Sequence, residues 1–127
     1  MSSFVWESPV AQAAMEAAGI MDPDQVREVT PVTYGEVRGT SQYLTVYFIS
    51  EKSLFRIVMD VTGGVVQSPF ADTFRLKNIT DIRIDQYGCV ISLNTGKKIE
   101  LVNNSIEGPE SFMDSVRGLH TRWDDVV

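Results

Sequence analysis

Two neighbouring stretches of alternating apolar and polar positions dominate the middle of the chain. Gln42–Ser50 and Leu54–Val61 both show the period of two that a half-buried β-strand requires. With Glu51-Lys52 at the turn and Ser50 facing Ser53, the cross-strand pairs can be written down. Phe48–Phe55, Val46–Ile57 and Leu44–Met59 share one face, which is wholly apolar and is predicted to be core. Ile49–Leu54, Tyr47–Arg56, Thr45–Val58 and Tyr43–Asp60 share the other. A solvent face is normally more polar than that, so this second face is read as an outer one that something partly covers.

A second meander follows over Thr80–Ile84, Cys89–Leu93 and Lys98–Asn103. Ile84 can face Cys89, and Ile82 can face Ile91. A three-residue loop, Thr95-Gly96-Lys97, sets Leu93 opposite Ile99 and Ile91 opposite Leu101. A two-residue loop would throw the apolar sets onto opposite faces, so register favours the longer one. Ile82, Ile84, Cys89, Ile91, Leu93, Ile99 and Leu101 then form one inner face. Thr33–Arg38 reads as a strand before the first hairpin. Val65–Leu76 reads as a strand with an irregularity, because Gly63-Gly64 permits a bulge and Pro69 interrupts a ladder. The total is about seven strands.

Helices flank this β-rich middle. Ser8 suits an N-cap, Pro9 the first helical position, and Gly19 the stop after the alanine-rich run Ala11–Ala18. Asp22, Pro23 and Gln25 repeat the start signal and predict a short helical turn from Pro23 to Val29, ended by Pro31. Near the C-terminus Pro109 opens a longer helix. Phe112, Val116, Leu119 and Trp123 form one apolar stripe along it.

Composition narrows the classes. The 127 residues are 43% hydrophobic and 22% charged, the balance of one globular domain. The net charge of −6 is uneven: the first thirty residues carry −4, residues 31–104 carry +1, and the remainder −3. That balance argues against nucleic acid and anionic membrane as partners, since both need a concentrated positive face. The single cysteine excludes an intramolecular disulfide, and the single histidine excludes a multi-histidine metal site. No basic start with an apolar run opens the sequence, and no stretch reaches the roughly 20 apolar residues that span a bilayer. A cytoplasmic location is the expectation.

The order of elements resembles that of the bacterial pleckstrin-homology-like (PH-like) domain family. Residues 74–119 carry the likeness: Phe74–Ile82 leading into a strand, Ile91–Leu101 with its Asn94-Thr95-Gly96-Lys97 turn, then a proline-initiated helix. The resemblance implies a mainly β (α+β) fold, a bent two-sheet barrel of antiparallel strands capped by the C-terminal helix. Residues 1–29 would be an N-terminal helical extension and 30–127 the PH-like barrel. Relatives that bind phosphoinositides use a basic cluster at the first strand–strand loop. Here Arg38-Gly39-Thr40-Ser41-Gln42 offers Arg38 alone, which argues against phosphoinositide or membrane binding.

Candidate chemistry is sparse. His120 has no partner motif and reads as a helix-end histidine. Cys89 reads as a core thiol. Asp22-Pro23-Asp24 and Asp124-Asp125 lack calcium-loop spacing, and Gly63-Gly64 lacks the lysine of a phosphate loop. Arg75, Lys77, Arg83, Lys97 and Lys98 are interleaved with Asp72, Asp81, Asp85 and Glu100 and read as a mixed, solvated surface. The expectation is therefore a non-enzymatic protein-interaction module, self-assembling or scaffolding, with no catalytic residues, metal or cofactor. Its partner would be a protein, the same chain or another. The expected surface is Phe4, Trp6, Tyr43, Tyr47, Ile49, Leu54 and Arg56, with either the N-terminal helix or a second copy lying over the outer sheet face. The alternative is a small-ligand-binding β-barrel or an accessory subunit of an enzyme, which needs an internal cavity with convergent polar groups.

Overall fold

A computed structural model describes residues 5–104 and 108–126. Helix α1 spans Pro9–Ala17, and a single 3-10 turn follows at Pro23–Gln25. Strands β1 (Val32–Arg38), β2 (Ser41–Ile49), β3 (Ser53–Asp60) and β4 (Gln67–Arg75) form one antiparallel sheet in that order. Strands β5 (Ile79–Asp85), β6 (Gly88–Leu93) and β7 (Lys98–Val102) form a second. Helix α2 (Pro109–Val126) closes the fold. The chain is thus mainly β, with seven antiparallel strands in two sheets and a helix towards each end, an arrangement consistent with a PH-like α+β fold.

The first sheet has apolar residues on both faces, and both are used. On one face Val32, Ile49 and Leu54 meet Ile82, Ile91 and Leu101 of the second sheet, with Phe112, Val116 and Leu119 of α2 inserted. On the other face Val46, Phe48, Ile57 and Met59 lie under Ala11, Ala14 and Met15 of α1. The small alanines let the helix sit close to the sheet, and Met15 fills the remaining gap. This corrects the expectation for the second hairpin face. What covers its Ile49–Leu54 end is neither α1 nor a second copy but the β5–β7 sheet and α2.

Local chemistry sets the boundaries. The Ser8 side chain accepts the Ala11 N–H at 3.1 Å, capping α1 as expected. The second helical turn is shorter than predicted. An α-helix through Val29 would put Val26 and Val29 on one face. Instead they serve opposite layers, Val26 beneath α1 and Val29 against α2's layer, so the chain straightens between them. The β2–β3 pairs match the predicted register throughout, from Tyr43–Asp60 to Ile49–Leu54. In the β6–β7 hairpin the predicted faces hold, but the loop lies one residue earlier. Gly96 N–H bonds the Leu93 carbonyl at 3.0 Å, Leu93 N–H bonds the Lys97 carbonyl at 2.9 Å, and Gly96 has φ +89°. This is a three-residue loop over residues 94–96, and Ile91 now faces Ile99.

Helix α2 is anchored along its length. Its stripe residues each contribute roughly 1.5–3 kcal/mol by burial. The Ser115 hydroxyl bonds the carbonyls of Ser111 (2.8 Å) and Pro31 (3.4 Å). The Trp123 indole N–H reaches the Ile79 carbonyl at 3.0 Å. Arg122 pairs with Glu28.

Candidate functional site

The inner face of the first sheet can be followed in rows across its strands. The row Ile49–Leu54–Phe74 lies against α2 and the second sheet. Next comes Val32–Tyr47–Arg56–Asp72, then Tyr34–Thr45–Val58–Phe70, and last Glu36–Tyr43–Asp60. Cover thins along this series. Ile49 and Leu54 are 5% and 1% exposed, Tyr47, Thr45, Val58 and Tyr43 are half-buried, and Phe70 is 63% exposed. The end of the sheet that α2 does not reach therefore presents an apolar patch with polar edges.

A cross-strand network stiffens this patch. Arg56 Nε donates to Asp72 Oδ2 at 3.2 Å, and a second guanidinium nitrogen donates to the same oxygen. The guanidinium also stacks over Phe74, 5.4 Å from the ring centroid. Burial works against the Arg56 charge, but Asp72 and the Tyr47 hydroxyl outweigh it and hold the group firmly protonated. Burial in turn pushes the Tyr47 phenol up, against the opposing pull of Arg56. Tyr34 meets the Tyr47 ring edge-on at 6.1 Å. Its own phenol is pushed well above the ordinary range by burial, then by Tyr47 and Cys89. The Tyr34 hydroxyl is buried without a hydrogen-bond partner among the described residues.

Charged groups of both signs edge the patch. Glu36 holds Arg38 through two bonds of 2.8 and 3.1 Å, and Arg38 lies 5.7 Å from the Tyr43 ring centroid. Asp60 accepts from the Thr62 amide (2.8 Å) and hydroxyl (2.5 Å), and these donors lower its pKa.

The predicted partner-binding residues divide. Tyr43, Tyr47 and Arg56 share the patch. Ile49 and Leu54 share its face but are core, so their expected availability to a partner is corrected. Trp6 is on the opposite side of the sheet, stacked on Phe48 at 5.6 Å, with Arg27 over its ring at 5.7 Å. Phe4 lies outside the described residues. Phe70 escaped the sequence reading, and Asp72 was read only as part of a mixed, solvated surface. Their signal was alternation with Phe74 on β4, but the register shift between Val58 and Asp60 hid which residues they face.

Other chemistry is muted. Cys89 is buried, and its thiol is pushed up to about 12 by burial and then by Asp85, which suits packing rather than nucleophilic attack. His120 packs edge-on against Trp123, centroids 5.6 Å apart. No group of three metal-ligating side chains occurs among the described residues. Among the described residues no helix is long and apolar enough to cross a membrane. Two of the open clefts border the β2–β3 and β6–β7 turns. One, of about 480 Å³, lies between Asp22, Asp24 and the β2–β3 turn. The other, of about 380 Å³, lies between the β4–β5 corner and the β6–β7 turn. No protein-family model, curated protein or solved structure matches the chain.

Proposed function

We propose that the chain is a non-enzymatic protein-interaction module of PH-like architecture that assembles with a second copy of itself through the uncovered end of its inner sheet face. The observation that carries this reading is Phe70. It is a large aromatic side chain, 63% exposed, opposite the half-buried Val58 on the face that also carries Tyr43. Aromatic residues at the centre of a patch with a polar rim are the usual anchors of protein interfaces.

Two features favour a second copy docked face to face. The rim carries opposite charges, Asp60 and the Glu36-held Arg38, and a two-fold axis between them would set the arginine of each copy beside the aspartate of the other. The fixed Arg56–Asp72 pair presents a stiff platform between them. Strand addition at the β4 edge is disfavoured, because Pro69 has no N–H to donate and Ser68 turns the edge with φ +49°.

The test is solution mass by light scattering across a concentration series, for the wild type and for Phe70→Ser with Tyr43→Ser. The expected result is a dimer that becomes a monomer in the variant, with an unchanged circular dichroism spectrum. A wild type that stays monomeric throughout, or a folded variant that keeps the dimer mass, overturns the reading.

A further inference from the structure

The geometry points to a second site, at the corner where β4 turns into β5, that takes the phosphate group of a small ligand. It arises from how the charges pair. Five arginines hold carboxylates: Arg27, Arg38, Arg56, Arg83 and Arg122. Asp72 and Asp81, which interleave with the central bases in sequence, are among those carboxylates. Arg75 and Lys97 have no carboxylate partner among the described residues, and the fold brings them to one cleft. The Leu76 N–H bonds the Lys52 carbonyl at 2.9 Å, which brings the β2–β3 turn to the corner formed by Arg75 and Lys77. Arg75 and Lys97 then line one cleft of about 380 Å³, and no carboxylate lines it with them. A chain of net charge −6 has thus kept one locally positive hollow.

The remaining lining suits an oxyanion. Asn78, Asn94 and Thr95 bring carboxamide and hydroxyl donors. The Asn94 N–H bonds the Asn78 carbonyl at 2.8 Å, latching the β6–β7 turn to the corner before any ligand arrives. Arg75 offers a planar fork of N–H donors and Lys97 a compact charge, the usual division of labour around phosphate. Phe74 and Leu93 supply an apolar wall for the body that carries the phosphate. The volume falls in the range of small-molecule sites, roughly 300–1,000 Å³. This hollow is separate from the first strand–strand loop, where Arg38 is already held by Glu36. It shares Phe74 with the network beneath the proposed dimer patch, but its charged residues Arg75 and Lys97 lie outside that patch, so either can fail without the other.

The experiment is a titration of the full ¹⁵N-labelled chain, read by amide chemical shifts, with inorganic phosphate and then phenyl phosphate. Shifts confined to residues 75–78 and 94–97 are expected, with phenyl phosphate the tighter ligand. Arg75→Gln with Lys97→Gln should weaken binding at least tenfold while the rest of the spectrum superimposes on the wild type. Vesicles of phosphatidylcholine with and without phosphatidic acid separate the sources. Binding to the acidic vesicles that the paired variant loses assigns the phosphate to a lipid headgroup. Binding of the soluble phosphates alone assigns it to a free small molecule. Shifts spread over all lysines, no shift at tens of millimolar phosphate, or equal binding by the paired variant overturns the site.

Discussion

Met15 is the largest buried side chain that α1 lays on the sheet, and Met15→Ala tests whether the two buried layers behave as one cooperative structure. The side chain is 3% exposed and packs with Phe48, Ile57 and Met59 in the α1 layer. Truncation to alanine removes Cγ, Sδ and Cε. At about 0.8 kcal/mol for each methylene-sized group, the transfer loss is roughly 2.4 kcal/mol. A residual cavity raises the expected loss to about 3 kcal/mol, inside the usual range for such truncations. Helix α1 has only nine residues, too few to persist without its docking surface. Losing its docking energy should therefore register in the whole fold. Urea unfolding followed by circular dichroism should show a lower midpoint at similar slope. Met15→Leu should stay within about 1.5 kcal/mol of the wild type, and the exposed Glu16→Ala within about 0.5 kcal/mol. A Met15→Ala midpoint unchanged within error refutes the reasoning. So does faster hydrogen exchange in α1 alone with the sheet unaffected, because α1 would then be an appendage rather than the cover of a core layer.

Three further outcomes follow from individual contacts. Tyr34→Phe removes a buried hydroxyl that has no partner among the described residues, so the stability read from urea unfolding should stay or rise by up to about 1 kcal/mol; a loss of that size would show a partner for the hydroxyl. Gly88→Ala would place a Cβ 2.3 Å from the Leu101 carbonyl oxygen, and since backbone cannot swing aside, thermal melting should report a loss of about 3 kcal/mol. Alkaline pH should weaken the fold. Cys89 and Tyr34 keep their protons in the folded state beyond their ordinary values of 9.0 and 10.0, so their contribution is whole below pH 9.0. It is lost as pH rises and the unfolded chain releases those protons, at about 1.4 kcal/mol per pH unit for Cys89, fading out near its folded value of about 12. Melting curves across this range should show Cys89→Ala delaying the onset of the decline to about pH 10.

The hairpin register was legible because polar residues at Ser50–Ser53 fix the turn and both strands alternate cleanly. Face membership in the second meander was legible for the same reason, even though its loop sits one residue earlier, since a shift of two in the pairing preserves parity. What period-two alternation does not encode is which layer covers which face. A sheet with two apolar faces needs two covers, and nothing within the strands says that α1 lies over Phe48 and α2 over Ile49. The candidate site was half legible for related reasons. Tyr43, Tyr47 and Arg56 fall on one face by register alone. Asp72 and Phe70 join them only through β4, whose pairing passes a bulge beside Asp60. The basic corner was illegible, because Arg75 and Lys97 are distant in sequence, and of the acids between them Asp81 pairs with Arg83 while Asp85 accepts the Tyr87 and Gly88 N–H groups.

Every strand pairs with its neighbour in sequence, whereas α2 reaches back across the chain: Ser115 bonds Pro31, 84 positions away, and Arg122 meets Glu28, 94 positions away. Local pairings of this kind form quickly, and long-range closures form late. During synthesis the first sheet and its α1 cover can assemble while the ribosome is still making the second half. Val32, Ile49 and Leu54 then wait first for the second sheet and finally for α2, whose Phe112, Val116 and Leu119 complete their cover. A nascent chain stalled before Pro109 has both sheets but an unfilled apolar seam where Phe112, Val116 and Leu119 belong, a natural client for chaperones and a point at which premature termination yields aggregation rather than a smaller working domain.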